Sequence, residues 1–80
     1  MNWLILEFDL PEGYSDLRRF DEALMALIPE AEQPQAQQRK YVFVAGGRHI
    51  RMAAPDTPAL EEGLQALHCS PTVREVVRLR

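Results

Sequence analysis

Two carboxylates near the start of the chain, Glu7 and Asp9, have the clearest chemical potential. Asp9 stands directly before a turn, where its oxygens would suit Mg²⁺ or Mn²⁺ if a twofold axis brought two copies together. The alternative is a cross-strand charge cluster in which both carboxylates pair with His49 and Arg51. The residue types favour the charge cluster. Under the metal interpretation, Asp9 is the candidate catalytic residue and metal ligand.

The single cysteine, Cys69, directly follows His68. Adjacent residues at a helix end usually point apart, so the pair is not expected to work as a nucleophile and its base. One cysteine excludes an internal disulfide, and with only two histidines in the chain a closed zinc site is hard to assemble. We expect no cofactor outside the metal interpretation of Asp9, and a reducing, cytoplasmic location.

The elements that position these residues begin with an alternating strand and an amphipathic helix. The strand's apolar face carries Leu4, Leu6, Phe8 and Leu10, and its mixed face carries Trp3, Ile5, Glu7 and Asp9. After the turn, Ser15 is the expected N-cap of a helix that ends at Pro29. Its predicted stripe consists of Leu17, Phe20, Leu24, Leu27 and Ile28. The polar residues 30–38 are interpreted as a connection.

A β-hairpin follows, because Gly46 and Gly47 separate two runs rich in β-forming residues. A two-residue turn there would pair Ala45 with Arg48, Phe43 with Ile50, and Tyr41 with Met52. Tyr41, Phe43, Ile50 and Met52 would then face the core, with Val42 and Val44 opposite Arg51 and His49 on the other side.

The last two elements are a second helix and a final strand. Thr57 as N-cap and Pro58 at the first helical position start the helix, and Ser70-Pro71 stops it. Its predicted buried stripe is Leu60, Leu64 and Leu67. Residues 72–80 read as a strand with Val73, Val77 and Leu79 alternating with Arg74, Val76 and Arg78.

This element order predicts one ferredoxin-like β-α-β-β-α-β domain over residues 1–80, with both helices on one face of a four-stranded antiparallel sheet. The uncovered face would carry the candidate binding residues Trp3, Ile5, Val42, Val44, His49, Arg51, Arg74 and Arg78, together with Val76. A face with so many Trp, Ile and Val side chains is too apolar to remain exposed to solvent. We therefore expect this face to meet a protein partner, most simply a second copy of the chain.

Length and charge support a small associating protein. An 80-residue domain has a small core, which makes a homodimer worth expecting. The net charge of −3 argues against nucleic-acid binding by bulk electrostatics. A local basic stripe and base stacking on Trp3 are the alternatives, and an interface role for Trp3 is favoured over stacking. The first residues lack the charge pattern of a signal peptide and the length of a membrane span, so no membrane association is expected.

Short motifs at both ends of the chain carry a resemblance. The stretch from Phe8 to Gly13 resembles the strand-end aspartate and turn of the small CRISPR adaptation protein and of virulence-associated protein D. Residues 14–18 and 70–78 are similar to the first helix and last strand of the latter family. The resemblance implies a ferredoxin-like homodimer with Asp9 of each copy at a metal. The family's serine on the second strand and its C-terminal extension have no counterpart here.

Two functions are therefore open. One is a non-catalytic, or at most weakly catalytic, homodimer that binds macromolecules as an inhibitor, antitoxin or adaptor in a bacterial or phage defence or toxin-antitoxin setting. The other, which the resemblance implies, is a metal-dependent endoribonuclease or nucleic-acid-binding dimer with Arg48, Arg51 and Arg74 near phosphate. The sequence leans slightly toward the first.

Overall fold

The computed structural model describes residues 2–45 and 48–78. The elements in chain order are β1 (Asn2–Asp9), α1 (Leu17–Ala26), a 3-10 turn (Glu30–Glu32), α2 (Gln33–Ala36), β2 (Lys40–Ala45), β3 (His49–Pro55), α3 (Pro58–Ala66) and β4 (Val73–Arg78). No helix within these residues has the length and apolar character needed to cross a bilayer.

The strands form one antiparallel sheet in the order β2-β3-β1-β4. The two central strands are β1 and β3, and each β-α-β unit therefore crosses a neighbouring strand. This is the α+β architecture predicted from the sequence, a ferredoxin-like sandwich with an unclosed sheet.

The core lies between one face of the sheet and the helices. Leu4, Leu6 and Phe8 of β1 are almost fully buried, as are Phe20 and Leu24 of α1. The α3 stripe adds the buried Leu60 and Leu64, and Gly63 lets α3 approach α1, since a Cβ there would lie 3.0 Å from Leu24 Cδ1. Leu67 is half-buried, whereas Leu27, the C-cap of α1, is exposed.

The helix starts test the capping predictions. Thr57 caps α3 as predicted, with its hydroxyl accepting from the Leu60 N–H and Pro58 at the first helical position. The Ser15 prediction is wrong by one residue. Asp16 is the N-cap of α1, and its carboxylate accepts from the Arg19 N–H at 2.9 Å. An aspartate caps as well as a serine and adds a negative charge at the helix start.

The interpretation of residues 30–38 as a plain connection is also wrong. A 3-10 turn leads into the single-turn helix α2, which tolerates Pro34 because a proline in the first turn loses no helical hydrogen bond. Ala36 is buried against the core. Gln33 bonds two carbonyls at and just beyond the end of α1, donating to Met25 at 3.1 Å and Ile28 at 3.0 Å.

The predicted Gly46-Gly47 turn lies outside the described residues, but the hairpin register is visible on both sides of it. Tyr41 pairs with Met52 and Phe43 with Ile50, as predicted. Nearer the turn the prediction fails, because Ala45 pairs with His49 and a bulge shifts the register between Phe43 and Ala45. Phe43 is exposed rather than core, since β2 is an edge strand.

Candidate binding surface on the open sheet face

The face of the sheet opposite the helices is the candidate functional surface, called here the open face. Directly paired residues of antiparallel strands share a face, so the register assigns its members. They are Trp3, Ile5, Glu7 and Asp9 of β1, His49, Arg51, Ala53 and Pro55 of β3, Lys40 and Val42 of β2, and Val73, Glu75 and Val77 of β4.

The β4 contribution differs from the sequence prediction. Leu6 pairs with Arg74, Leu4 with Val76 and Asn2 with Arg78, so these β4 residues lie on the helix side. Arg74 forms an ion pair there with Glu61 of α3. The predicted placement of Arg74, Val76 and Arg78 on the open face is therefore wrong. The register follows from Thr72, whose N–H donates to the Glu7 carbonyl at 2.8 Å.

Val44 is the other displaced candidate. The bulge near the hairpin turn makes Ala45 the partner of His49, the position that the sequence predicted for Val44. Val44 is exposed on the edge strand. Of the eight predicted binding residues, the register thus keeps Trp3, Ile5, Val42, His49 and Arg51 together on the open face.

The half of the open face around the start of β1 is apolar. Trp3 lies beside Pro55 on one side and Val77 on the other, and Ile5 lies beside Ala53. Trp3, Ile5 and Val77 are half-buried by their neighbours in the sheet, whereas Val73 and Val42 are exposed. Among the described residues no helix covers this surface, which leaves β-branched and aromatic side chains facing outward.

The other half carries an ion-pair network, called here the open-face cluster (Glu7, Asp9, His49, Arg51). The His49 ring bonds Asp9 Oδ1 through Nδ1 at 2.8 Å and Glu7 Oε1 through Nε2 at 3.3 Å. Arg51 Nη1 lies 3.9 Å from Glu7 Oε2. The bond with Asp9 raises the pKa of His49. Burial acts in the opposite direction, and the bond with Glu7 raises the pKa further. The cross-strand pairing that the sequence favoured is confirmed.

The geometry of this cluster bears on the metal hypothesis. The two carboxylates bind opposite nitrogens of the imidazole, so the ring separates them instead of converging with them on one point. Within residues 2–45 and 48–78 no three His, Cys, Asp or Glu side chains are arranged to hold a metal ion. Within one copy, Asp9 is therefore an ion-pair partner of His49.

A second charged network lies on the opposite side of the sheet and was not predicted from the sequence. In this helix-side cluster (Asp21, Arg39, Tyr41), Arg39 binds the Asp21 carboxylate with two nitrogens at 2.6 and 2.7 Å. The Tyr41 hydroxyl donates to the same carboxylate. Burial alone would raise the pKa of Asp21, but the bonds from Arg39 and Tyr41 outweigh it and lower that pKa. The cluster fastens α1 to β2, which makes it structural.

A small cavity of about 130 Å³ lies between α3 and β1. Leu4, Leu6 and Leu64 line it, and the Glu61–Arg74 ion pair stands at its rim. Cys69 also lines it, and burial raises the pKa of its thiol to about 11. A thiol with that pKa is protonated near neutral pH and is a poor nucleophile.

Comparison with protein-family models, with curated proteins and with solved structures finds no match for this chain. The open face, with its apolar and charged halves, is accordingly interpreted from its own geometry.

Proposed function

We propose that this protein acts by binding rather than by catalysis, as a homodimer whose open faces hold a protein partner. The observation that carries the proposal is a sheet face without a helical cover in the described chain, apolar around Trp3 and Ile5 and charged around His49. An apolar centre beside ion-pairing groups is the usual composition of a protein–protein interface.

The charges on the open face favour a protein over a nucleic acid. The described part of this face has no marked basic excess, because its basic residues are matched by as many acidic ones. The basic residues are Lys40, His49 and Arg51, and the acidic ones are Glu7, Asp9 and Glu75. Nucleic-acid binding depends on clustered positive charge that neutralises phosphates. A mixed surface instead offers both donors and acceptors to a partner protein.

The nuclease alternative is weakened by the same geometry. A nuclease would need Asp9 to bind a metal and the arginines to lie along one phosphate path. The Asp9 carboxylate is instead hydrogen-bonded to His49. Arg74 faces the helix side, and the Arg48 guanidinium donates to the Leu10 carbonyl at 3.0 Å. Occupying a partner's surface is how inhibitors, antitoxins and adaptors act, and we propose a role of this class in a defence or toxin-antitoxin setting.

Site-specific photo-crosslinking tests the proposal. A photoreactive residue at Ile5 should capture the partner in cells, whereas the same residue at Glu22, on the exposed side of α1, should not. With the captured protein purified, Trp3→Glu should weaken the complex at least tenfold, because it places a charge in the apolar half of the interface. Arg19→Glu, at another exposed position on α1, is the matched control and should bind like wild type.

Equal binding by Trp3→Glu and wild type, with unchanged circular dichroism for both, would rule out the open face. A separate arm addresses catalysis: RNA and DNA are incubated with wild type and Asp9→Asn in Mg²⁺ or Mn²⁺. We expect no cleavage, and no metal-dependent shift in either melting curve. Cleavage by wild type that is lost in Asp9→Asn would overturn the proposal in favour of a nuclease.

A further inference from the structure

The two edges of the sheet are protected very differently. Along β4, the charged residues Arg74, Glu75 and Arg78 interrupt the valines, a common protection against unwanted strand pairing. Along β2, the only charged residue is Lys40. Val42, Phe43 and Val44 follow it with exposures of 61%, 57% and 48%. The bulge of β2 begins beyond Phe43, so the regular stretch up to Phe43 keeps an apolar edge that is ready to pair with another strand.

The helix side of this edge also has room for an aromatic side chain. An open groove of about 420 Å³ runs between α1 and β2, lined by Leu17, Tyr41 and Phe43 together with the polar Asp16, Arg18 and Asp21. Phe43 lines this groove and is more than half exposed. An additional strand beside β2 would place its own side chains against this groove.

We propose that the occupant is the β2 strand of a second copy, paired antiparallel about a twofold axis through Val42 and perpendicular to the sheet. This register places Val42 opposite its own equivalent on the open face. On the helix side it places Tyr41 of each copy opposite Phe43 of the other, beside the groove. Aromatic and β-branched cross-strand pairs of this kind are the favourable ones in antiparallel sheets.

Self-complementarity selects a second copy over an unrelated peptide. Lys40 of each copy would lie toward the bulged end of the other β2, where Val44 and Ala45 carry no charge, so no like charges face each other in this register. The same construction centred on the middle of the other edge strand, β4, fails. A twofold axis through Glu75 opposes two glutamates, and an axis through Val76 opposes Arg74 and Arg78. Symmetric pairing centred on the middle of β4 is therefore penalised, whereas pairing centred on Val42 of β2 is not.

This inference rests on the homodimer of the proposed function and assigns its interface. The dimer would contain one continuous sheet with twice the four strands of a single copy. Because the axis is perpendicular to the sheet, both open faces would lie on the same side. Two linked sites bind a two-site or repeated partner far more tightly than either site alone.

Sedimentation velocity at micromolar concentration tests the assignment. Wild type should sediment as a species with about twice the 9.2 kDa mass of one chain. Phe43→Lys should be monomeric with unchanged circular dichroism, because an exposed side chain is replaced and two lysines would face the groove. Val76→Lys, a substitution of comparable exposure on the opposite edge, should remain dimeric, as should Trp3→Glu on the open face.

The outcomes separate this inference from the proposed function. A dimer that Trp3→Glu dissociates and Phe43→Lys leaves intact keeps the homodimer but overturns the β2 interface. A monomeric wild type overturns the interface and the homodimer together, while partner binding by the open face is judged by the crosslinking experiment alone.

A disulfide test fixes the register. In a Cys69→Ala background, Val42→Cys should oxidise to a covalent dimer, because residues facing each other across an antiparallel pair lie at disulfide distance. Val76→Cys in the same background is the control and should stay a single chain. Failure of Val42→Cys to crosslink while Phe43→Cys does so would overturn the axis through Val42.

Discussion

The helix-side cluster and the open-face cluster use the same ingredients, carboxylates and basic side chains, on opposite faces of one sheet. Arg39 and Asp21 are only 16% and 22% exposed and meet through two parallel hydrogen bonds. In the open-face cluster Glu7 and His49 are 22% and 26% exposed, but Asp9 is 73% exposed and meets His49 through a single ring nitrogen. Charge-assisted bidentate pairs shielded from water are stronger than exposed single contacts. The first cluster is therefore suited to holding the fold, and the second to exchanging partners.

The largest effect should come from Asp21→Ala. Removing this carboxylate leaves the Arg39 guanidinium and the Tyr41 hydroxyl without their shared acceptor in a partly buried site, which should cost about 2 kcal/mol of the free energy of unfolding. Glu22→Ala, on the same helix, is the matched control because the ion pair of Glu22 with Arg18 is exposed. It should cost no more than about 0.5 kcal/mol.

Urea denaturation of both variants beside wild type measures this difference. Equal losses in the two variants would show that burial and bidentate geometry do not distinguish the helix-side cluster from a surface ion pair.

A smaller effect is expected for Tyr41→Phe, which deletes one donor to Asp21 and keeps the ring. Burial raises the pKa of Tyr41, and the hydrogen bond with Asp21 raises it further. The phenol therefore stays protonated and donates. Its loss should cost about 1 kcal/mol, since Arg39 still satisfies the carboxylate. Tyr14→Phe keeps the edge-on packing of that ring against Phe20 and is the control. If the two variants unfold at the same urea concentration, the Tyr41 hydroxyl contributes nothing specific.

Local patterns predicted the parts of the fold that depend on local chemistry. Alternation along β1, the Thr57-Pro58 helix start and the pairing of Tyr41 with Met52 were all readable, because each signal lies within a few residues. The pairing of Glu7 and Asp9 with the β3 side chains followed from the strand order that the fold imposes.

The failures on β4 and at the helix-side cluster share one physical cause, contacts between residues that are distant in sequence. Valines stand at both odd and even positions of β4, so alternation alone did not decide its face; the backbone bond between Thr72 and Glu7 does. Asp21 and Arg39 are separated by eighteen positions, and no local pattern links them. Their signal is weak in retrospect: an arginine just before an edge strand and a tyrosine at its second position, with an aspartate one turn into a helix.

The smallest expected effect, on the open-face cluster, concerns pH. The bonds with Asp9 and then Glu7 favour protonated His49 in the folded state, so its pKa lies above the ordinary 6.5. A raised pKa contributes stability that is complete below about pH 6.5 and disappears as the pH rises through the folded-state value. The melting temperature of wild type should therefore fall by more between pH 6 and pH 9 than that of His49→Gln.

Arg51 also contacts Glu7, so the cluster keeps a cation at high pH, and this together with solvent exposure keeps the expected difference small. His68→Asn removes the other histidine, tolerates the left-handed backbone at that position (φ 59°), and leaves the His49 contacts in place. It should retain the wild-type pH dependence. If His49→Gln retains it as well, protonation of His49 contributes nothing to folding, and its charge is available to a partner at no cost in stability.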